Sequence, residues 1–283
     1  MKLYNHLNEF EIYLENYFNN LSNGNEDVLF ESVAYGIVKG GKRLRPMLAF
    51  ASAEAVGGDY KKLFSIALAI EMIHSYSLIH DDLPCMDNDD MRHGKLSCHK
   101  KFGYPQALLA GDALLNTAFE LLSENRENIA PDVMLKVINV IAKKAGVSGM
   151  ILGQSYDISG NVDNMDTVHD LKTAKLFQAA LLSGAIVSGA DVETQKSLNE
   201  FGRLSGLAFQ ITDDILDVTG DVSALGKNIN QDYNKTTYVT LYGIEGARQK
   251  AFEVIEQAKN TVKGLTYPNT LCEFADFIIS RNR

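Results

Sequence analysis

The stretch from Phe64 to Asp90 reads FSIALAIEMIHSYSLIHDDLPCMDNDD. Its first part, Phe64 to Ile79, is apolar on almost every side, which is typical of a helix buried in a protein core. The stretch then ends in a cluster of aspartates. Because like charges repel, and partial burial strengthens the repulsion, such a cluster beside an apolar helix predicts a bound cation. Carboxylate oxygens are hard ligands that suit Mg²⁺, whose other ligands are waters and substrate phosphates.

The order of residues at the end of this stretch predicts how the cluster is arranged. Asp81 and Asp82 close the helix, because Pro84 follows and disfavours its continuation. Asp87 lies beyond the proline, so we expect it to fold back towards the same ion. His74 lies two turns before Asp81 on the same helical face. The alternative is a solvated acidic loop, although carboxylates at a helix C-terminus oppose the helix dipole.

A second aspartate cluster follows another apolar segment, Leu204 to Thr212. Gln210, Asp213 and Asp217 are spaced at i, i+3 and i+7, which places them on one helical face, and Asp214 borders that face. An isolated motif of this kind is equally well explained as the polar stripe of a surface helix. Two such motifs in one chain favour the interpretation as a metal site.

The remainder of the chain indicates an all-α protein. Only five prolines interrupt 283 residues, and apolar positions recur at helical spacing almost throughout. The breaks between helical segments are short, and we find no long linker and no low-complexity tract. We therefore predict a single all-α domain over residues 1–283, in which amphipathic helices surround a set of buried ones.

Composition excludes several functional classes. The net charge of −9 argues against a nucleic-acid-binding protein. The three cysteines show no zinc-type spacing, and their odd number without a secretory leader suggests reduced thiols in the cytoplasm. No apolar run is expected to be long enough to cross a bilayer, so we predict no membrane span.

Basic residues near glycines and near the acidic motifs predict an anionic ligand. Gly40 and Gly41 precede Lys42, Arg43 and Arg45, and glycines let the backbone approach an anion closely, while arginine grips phosphate with two bonds. Metal-binding carboxylates together with scattered cations suit a polyphosphate. A P-loop motif is missing from the sequence, so a nucleotide site of that type is not indicated. Other basic residues close to the motifs, or inside an apolar helix, are Arg92, Lys172, Lys227 and Lys235.

Taken together, these motifs resemble the trans-isoprenyl diphosphate synthases, and among them the bacterial farnesyl diphosphate synthases. The resemblance covers about Phe30 to Arg283. It runs in order through GGKRLRP, EMIHSYSLIHDDLPCMDNDD, LAGDALL, GQSYD, LKTAK, FQITDDILD, and LGK followed by KTTY. It implies an all-α fold of about ten core helices around a deep central cavity, and a homodimer. It also implies a Mg²⁺-dependent condensation of isopentenyl diphosphate with dimethylallyl or geranyl diphosphate, giving farnesyl diphosphate (C15) by ionisation, condensation and elimination.

The resemblance also implies roles for individual residues. Up to three Mg²⁺ would be held, together with the allylic diphosphate, by Asp81, Asp82, Asp87, Asp213, Asp214 and, more loosely, Asp217. The allylic diphosphate would be bound by Arg92, Lys172, Thr173, Gln210, Lys227 and Lys235. The catalytic set would be Asp81, Asp82, Lys172, Asp213 and Lys227. Isopentenyl diphosphate would be bound by Lys42, Arg45 and His74. Gln154 and Asp157 match residues near the first metal site, and the end of the chain from Arg281 to Arg283 matches a basic tail that closes over the site.

Two further expectations concern product length and departures from the family pattern. Tyr76 lies roughly 7.5 Å along the helix from Asp81, at about 1.5 Å per residue. The resemblance implies that an aromatic residue there stops product growth at C15, with Ser77 as the next candidate. His93 replaces an arginine expected to bind isopentenyl diphosphate, which predicts weaker binding as pH rises. The loop aspartate of the family has two competing matches, Asn230 and Asp232.

Several alternatives remain open from the sequence. The chain is also compatible with a geranyl or geranylgeranyl diphosphate synthase, or with a catalytically silent regulatory subunit, although silent chains tend to lose one acidic motif. A terpene cyclase would not need Lys42, Arg45 and His74 as a second diphosphate site. A calcium-binding scaffold would be expected to show EF-hand spacing, and this sequence has none.

Overall fold

The buried helix expected from the opening stretch is present and spans Phe64–Asp81. Most of its side chains between Ser65 and Ile79 are buried. The computed structural model describes residues 2–38, 40–159, 165–219 and 237–281. Within these ranges the α-helices are α1 Leu7–Ser22, α2 Val28–Ile37, α3 Leu44–Ala55, α4 Phe64–Asp81, α5 Cys98–Phe102, α6 Tyr104–Glu124, α7 Pro131–Ala145, α8 Met150–Ser159, α9 Met165–His169, α10 Lys175–Val187, α11 Val192–Thr219, α12 Tyr238–Val262 and α13 Asn269–Ser280.

Two of the helices, α4 and α10, lie at the centre of the packing. Helix α4 packs most extensively against α6, and α10 packs against α3, α7 and α11. Helix α11 in turn packs along α12. The hydrophobic cluster formed by these contacts extends from Leu3 to Ile278 and includes the large buried rings of Phe50, Phe177 and Phe274.

Local sequence explains where several elements begin or bend. Asp27 caps α2 by accepting a hydrogen bond from the backbone N–H of Leu29. The side chain of Thr237 caps α12, and Thr240 returns a bond to the backbone N–H of Thr237. Helix α12 is kinked at Gly243, where φ is 70° and the backbone leaves the helical region.

Strand structure within the described ranges is confined to one short ribbon. Strand β1, Met91–Arg92, pairs antiparallel with β2, Lys95–Leu96, immediately after the first aspartate motif. The predicted all-α class is therefore confirmed, with this ribbon as its small exception.

One expectation about membranes needs correction. Among the described residues, the helical stretch Tyr60–Asp81 does have the length and hydropathy of a membrane span. However, 72% of its apolar window is buried inside the structure, so its apolar surface is used in packing the core. The expectation about the length of apolar runs was wrong, because a core helix that is apolar all round has the same composition as a membrane helix, but this single, mostly buried helix gives no clear membrane span.

Candidate active site

The first aspartate motif folds back on itself, as its proline predicted. The backbone N–H of Asp87 donates to the carbonyl of Asp81 at 2.8 Å, which closes a turn beyond the end of α4. Asp81 is partly buried and shows no side-chain hydrogen bond within the described part of the chain. Burial, together with the charges of Asp87 and Asp82, raises the pKa of Asp81 to about 6, although Lys172 and Arg92 oppose the shift. This carboxylate is therefore held at a position where a cation would be stabilising.

The neighbouring Asp82 is already neutralised by a side chain of the protein. It is almost fully buried, and the Arg92 guanidinium donates to its Oδ1 from Nε at 2.9 Å and also from Nη2. Nη2 lies 3.3 Å from Asp89 as well. Burial raises the pKa of Asp82 and the Arg92 contact lowers it, and the net direction is upward. Arg92, which was expected to bind a diphosphate, is thus committed to the acidic motif in this structure.

The second motif lies on α11, but its three aspartates face different neighbours. Asp213 Oδ1 accepts a hydrogen bond from Arg281 Nη2 at 2.9 Å, and the Arg281 guanidinium stacks on the Phe209 ring at 3.8 Å. Asp214 is buried and accepts the backbone N–H of Tyr238 at 2.8 Å, so it caps the start of α12. Asp213 and Asp217 line the cavity described below. The geometry therefore supports Asp213 and Asp217 as cavity ligands more directly than Asp214.

A cavity of about 340 Å³ joins the two motifs to the basic residues. Its walls include Asp82 from the first motif and Asp213 and Asp217 from the second. The basic loop, α3, α4 and the ribbon contribute the predicted residues Lys42, Arg45, His74, Arg92 and His93. The structure therefore brings these residues together around one cavity, and their binding roles stay predictions.

Among the basic residues of the loop, Arg43 has a different role from its two neighbours. Its side chain is 3% exposed and forms ion pairs with Glu71 at 3.0 Å and with Glu11 at 2.9 Å. Arg45 lies over the Phe177 ring at 5.0 Å, and its Nε is buried with no hydrogen-bond partner in the part of the chain that the structure describes. Burial lowers the pKa of Arg45 to about 10, so it remains charged at neutral pH. Lys42 in the loop and Arg45 in the first turn of α3 therefore both line the cavity, while Arg43 between them is anchored by its ion pairs.

The two histidines of the cavity are electrically neutral at neutral pH. Burial and then the nearby Arg45, His93 and Arg92 hold the pKa of His74 well below its usual value. His93 is exposed at the mouth of the cavity, yet burial of its inner face and the charges of Arg92 and Lys95 lower its pKa to about 4. Each histidine can therefore offer a diphosphate a neutral hydrogen-bonding group rather than a positive charge.

Lys172 and Thr173 lie in a single π-helical turn, Asp170–Ala174, between α9 and α10. Lys172 Nζ contacts Asp157 Oδ2 at 2.7 Å, and the Thr173 hydroxyl donates to the Gln210 side-chain oxygen. Close packing requires a glycine beside this turn, because a Cβ at Gly206 would lie 2.4 Å from the Cβ of Ala174. Single π-turns are frequent at functional sites. The turn thus brings the predicted diphosphate ligands of α11 and of the π-turn together.

Other predicted residues lie outside the cavity walls. Tyr76 is buried, with its ring edge-on to His80 at 5.7 Å, and burial followed by the charge of Asp81 raises its pKa to about 12. Ser77 Oγ donates to the carbonyl of His74 at 2.8 Å. The side-chain amide of Gln154 is buried, and neither its oxygen nor its nitrogen has a hydrogen-bond partner among the described residues. Outside the described residues lie Lys227, Asn230, Asp232, Lys235 and Arg283.

The donor set fits magnesium bound together with a phosphate ligand. Across the described ranges, no three carboxylate, imidazole or thiol groups are clustered closely enough to hold an ion alone. Mg²⁺ usually keeps several waters and takes one or two carboxylates plus substrate phosphates, rather than a complete protein cage. The carboxylates of Asp81 and Asp87, and of Asp213 and Asp217, provide hard oxygens of that kind.

Sequence reasoning missed two residues that line the cavity, Glu71 and Lys95. Glu71 was detectable as the one carboxylate inside an otherwise apolar helix. Lys95 was detectable only from the ribbon, because its pairing with Arg92 places both side chains on one face.

Comparison with known proteins identifies the class. The chain matches the polyprenyl synthetase family over residues 26–267 and belongs to that family. The farnesyl diphosphate synthase of Geobacillus stearothermophilus is 44% identical over 243 residues, covering 83% of this chain and 82% of the relative. That of Haemophilus influenzae is 40% identical over 278 residues, covering 95% and 94%. A chloroplastic geranylgeranyl pyrophosphate synthase of Capsicum annuum is 42% identical over 266 residues, covering 90% and 72%.

Solved structures of similar proteins share the whole fold. An FPP/GFPP synthase from Zymomonas mobilis superposes with a TM-score of 0.87 at 35% identity, over 98% of this chain and 99% of that chain. A geranyltransferase from Helicobacter pylori, complexed with magnesium and isoprenyl diphosphate, has a TM-score of 0.83 at 34% identity, over 98% and 95%. The resemblance inferred from the motifs is confirmed.

Proposed function

We propose that this protein is a prenyltransferase that condenses isopentenyl diphosphate with dimethylallyl or geranyl diphosphate and releases farnesyl diphosphate. The observation that carries the proposal is the single cavity in which Asp82 and Asp213, from the two aspartate motifs, meet the cations Lys42 and Arg45. Metal-binding carboxylates opposite cations are suited to two diphosphates. The farnesyl diphosphate synthases among its relatives support the same activity.

The allylic diphosphate would lie between the two aspartate motifs. Mg²⁺, up to three ions held by Asp81, Asp82, Asp87, Asp213, Asp214 and Asp217, supplies the positive charge that stabilises pyrophosphate as a leaving group. Lys172, Thr173 and Gln210 bind and orient the same diphosphate from the π-turn and α11, and Lys227 and Lys235 are proposed to add further charge. Preorganised charge of this kind stabilises the developing negative charge of the leaving group.

Isopentenyl diphosphate would occupy the basic end of the cavity. Lys42 and Arg45 bind its diphosphate by charge, and His74 and His93 by neutral hydrogen bonds. The buried apolar walls exclude water from the allylic cation. The double bond of isopentenyl diphosphate attacks that cation. The proton lost afterwards is taken up by the departed pyrophosphate. The chain needs no nucleophile of its own for this reaction.

Arg92 and Lys172 must change partners when substrate binds. In the structure Arg92 is paired with Asp82, and Lys172 with Asp157 at 2.7 Å. A cation on Asp82 would weaken its attraction for Arg92, because the carboxylate charge is then shared. We propose that the guanidinium and the ammonium then turn to the diphosphate, so that metal and substrate binding are coupled.

The length of the product has two candidate values, C15 and C20. A geranylgeranyl synthase of Capsicum annuum is also 42% identical, and a C20 product would follow if the tunnel were longer. We favour C15 because Tyr76 is bulky and buried one and a half turns before Asp81. We propose in addition that residues 1–283 form a single domain, that the protein is a homodimer, and that it acts in the cytoplasm with Cys85, Cys98 and Cys272 as free thiols.

The test is a turnover assay with labelled isopentenyl diphosphate and Mg²⁺, offered with dimethylallyl, geranyl or farnesyl diphosphate. We expect C15 as the end product from the first two starters, and little product from the third. A C20 product from geranyl diphosphate would identify the competing synthase. If folded protein incorporates no label with any of the starters, the proposal is overturned and a silent subunit is favoured.

A further inference from the structure

The ribbon after the first aspartate motif carries two cations side by side. In its register Arg92 lies directly opposite Lys95. Directly opposed residues of an antiparallel pair project to the same face with their Cβ atoms about 5 Å apart. Both residues line the cavity. Like charges in this position are destabilising unless an opposite charge compensates for them.

The two-residue turn between the strands holds Arg92 and Lys95 opposite each other, and the turn itself has a strained backbone. The two residues of the turn, His93 and Gly94, both have positive φ, at 52° and 75°. This is the combination required by a tight type I′ hairpin, which favours asparagine or glycine at its first position. Histidine is strained in this left-handed conformation, so the backbone conformation of His93 is imposed by the turn. The His93 ring lies against Gly40, whose added Cβ would be 3.2 Å from the His93 Cβ.

The charges at the mouth of the cavity are therefore unevenly distributed. Arg92 is held by Asp82 and Asp89. His93 is neutral, because burial and neighbouring cations lower its pKa to about 4. Lys95 Nζ donates to the carbonyl oxygen of Tyr35 at 3.1 Å and lies 4.4 Å from the centre of the Tyr35 ring. These two contacts orient its ammonium at the cavity wall.

We propose that Lys95 is a further binding residue for the diphosphate of isopentenyl diphosphate, an inference that rests on the proposed function. Lysine binds phosphate as a compact point charge. Lys95 is aligned by the ribbon and by Tyr35, and it adds its charge to those of Lys42 and Arg45. An anion beside it would also relieve the repulsion from Arg92. His93 contributes the geometry of the turn and a neutral hydrogen bond, whereas Lys95 contributes charge.

A matched control is available on the same aromatic ring. Lys101 Nζ lies 4.2 Å from the centre of the Tyr35 ring and pairs with Glu31 at 3.2 Å. Unlike Lys95, Lys101 does not line the cavity. Replacing either lysine by methionine removes one charge from the same surface region and keeps the apolar stem.

The experiment measures isopentenyl diphosphate binding by calorimetry, and KM and kcat by turnover, for wild type, Lys95→Met, Lys95→Arg and Lys101→Met. We expect Lys95→Met to weaken binding and raise KM for isopentenyl diphosphate roughly tenfold, as for a lost charge-assisted bond. KM for the allylic substrate should remain within about twofold, a small difference in free energy. Lys95→Arg should recover most of the binding, and Lys101→Met should behave as wild type.

Other outcomes separate this inference from the proposed reaction. Lys95→Met with wild-type affinity for isopentenyl diphosphate overturns the inference while leaving the reaction intact. A larger loss in His93→Asn, which keeps the turn, than in Lys95→Met overturns it as well. Calorimetric binding without turnover in wild type rejects the proposed reaction, and Lys95 is then judged on binding alone. A wild type that does not bind isopentenyl diphosphate rejects both. Should Lys95→Met melt well below wild type, Lys95→Gln replaces it.

Discussion

Arg43 Nη1 donates to Glu71 Oε1 at 3.0 Å, and each side chain is only 3% exposed. The same guanidinium donates to Glu11 at 2.9 Å and to the carbonyl of Ile37 at 2.7 Å. Arg43 thereby ties the loop that carries Lys42, and the start of α3 that carries Arg45, to α1, α2 and α4. The backbone of Arg43 is left-handed, with φ at 50°, so this loop is held in a conformation that an isolated chain would seldom adopt.

The first prediction concerns this buried ion pair. Arg43→Met leaves Glu71 as an uncompensated buried charge, and we expect it to lower the free energy of unfolding by about 3–5 kcal/mol. The double variant Arg43→Met/Glu71→Met should recover a large part of that loss. Replacing both members of a buried ion pair by apolar residues leaves no unpaired charge and adds apolar packing. Urea unfolding of the four proteins in the cycle measures the coupling. Additive losses in the double variant would contradict the pairing.

The second prediction follows from the raised pKa of Asp81. The folded-state pKa is about 6 against an ordinary 3.8, so the contribution of this group to stability is present at low pH and is lost as pH rises through 6. Asp81→Asn removes the charge. We therefore expect the variant, without metal at pH 8, to be more stable than wild type by roughly 1–3 kcal/mol. The stability difference should disappear near pH 4.

The control for Asp81 is Asp90→Asn. Asp90 belongs to the same acidic run but is exposed and pairs with Lys100 at 2.8 Å. We expect Asp90→Asn to change stability by less than about 0.5 kcal/mol. With Mg²⁺ and substrates, Asp81→Asn should lose turnover by about 10²–10³, as expected for a preorganised charge stabiliser. Wild-type turnover in Asp81→Asn would remove this residue from the metal site.

The third prediction is that Mg²⁺ and a diphosphate stabilise the fold jointly. The clustered carboxylates repel one another in the free protein, and a bound ion–diphosphate complex would relieve this repulsion. A ligand bound only to the native state adds about 2.7 kcal/mol at a hundredfold excess over its Kd. Thermal melts with Mg²⁺, with a non-hydrolysable diphosphate, with both, and with chelator make the comparison. Equal melting temperatures in all four samples would rule out the site.

The fourth prediction concerns product length. Tyr76 is 6% exposed and lies on α4, where burial and then the charge of Asp81 raise the pKa of its hydroxyl. Tyr76→Ala should open the tunnel and shift the end product from C15 to C20 or longer, as chromatography of the dephosphorylated products would show. The matched substitution Tyr76→Phe keeps the ring and should keep C15. An unchanged product from Tyr76→Ala would move the length determinant to another residue, with Ser77 tested next.

The fifth prediction revises the pH dependence expected from His93. The sequence suggested that isopentenyl diphosphate binding weakens between pH 6 and 9 as His93 loses its proton. With a free-state pKa of about 4, His93 is already neutral there, and a bound diphosphate must raise that pKa before protonation contributes. We therefore expect KM for isopentenyl diphosphate in wild type and His93→Gln to vary in parallel from pH 7 to 9. Divergence of the two curves above pH 7 would restore the original hypothesis. His93→Arg should bind more tightly at every pH, because its charge does not titrate there.

The amino-acid sequence alone determined the class of fold and the family, and it predicted most of the residues of the candidate site. Helices such as α4 and α11 are encoded by the spacing of apolar residues within each segment, and the aspartate motifs lie at fixed offsets along them. The return of Asp87 towards Asp81 was also predictable, because it depends on a proline three residues after Asp81.

Only the tertiary structure decided which of these charged groups remain available to a ligand. Arg43 and Arg45 are two residues apart in the same basic run and both line the cavity, yet the guanidinium of Arg43 is held in ion pairs with Glu71 and Glu11, whereas Arg45 stacks on Phe177. Asp213 and Asp214 are adjacent, yet Asp214 caps α12, a partner that is 24 residues distant. The low pKa of His93 is due first to burial and then to cations from two separate segments, the ribbon and the basic run. Burial and ion pairing are set by contacts between distant segments, and no local pattern of residues specifies them.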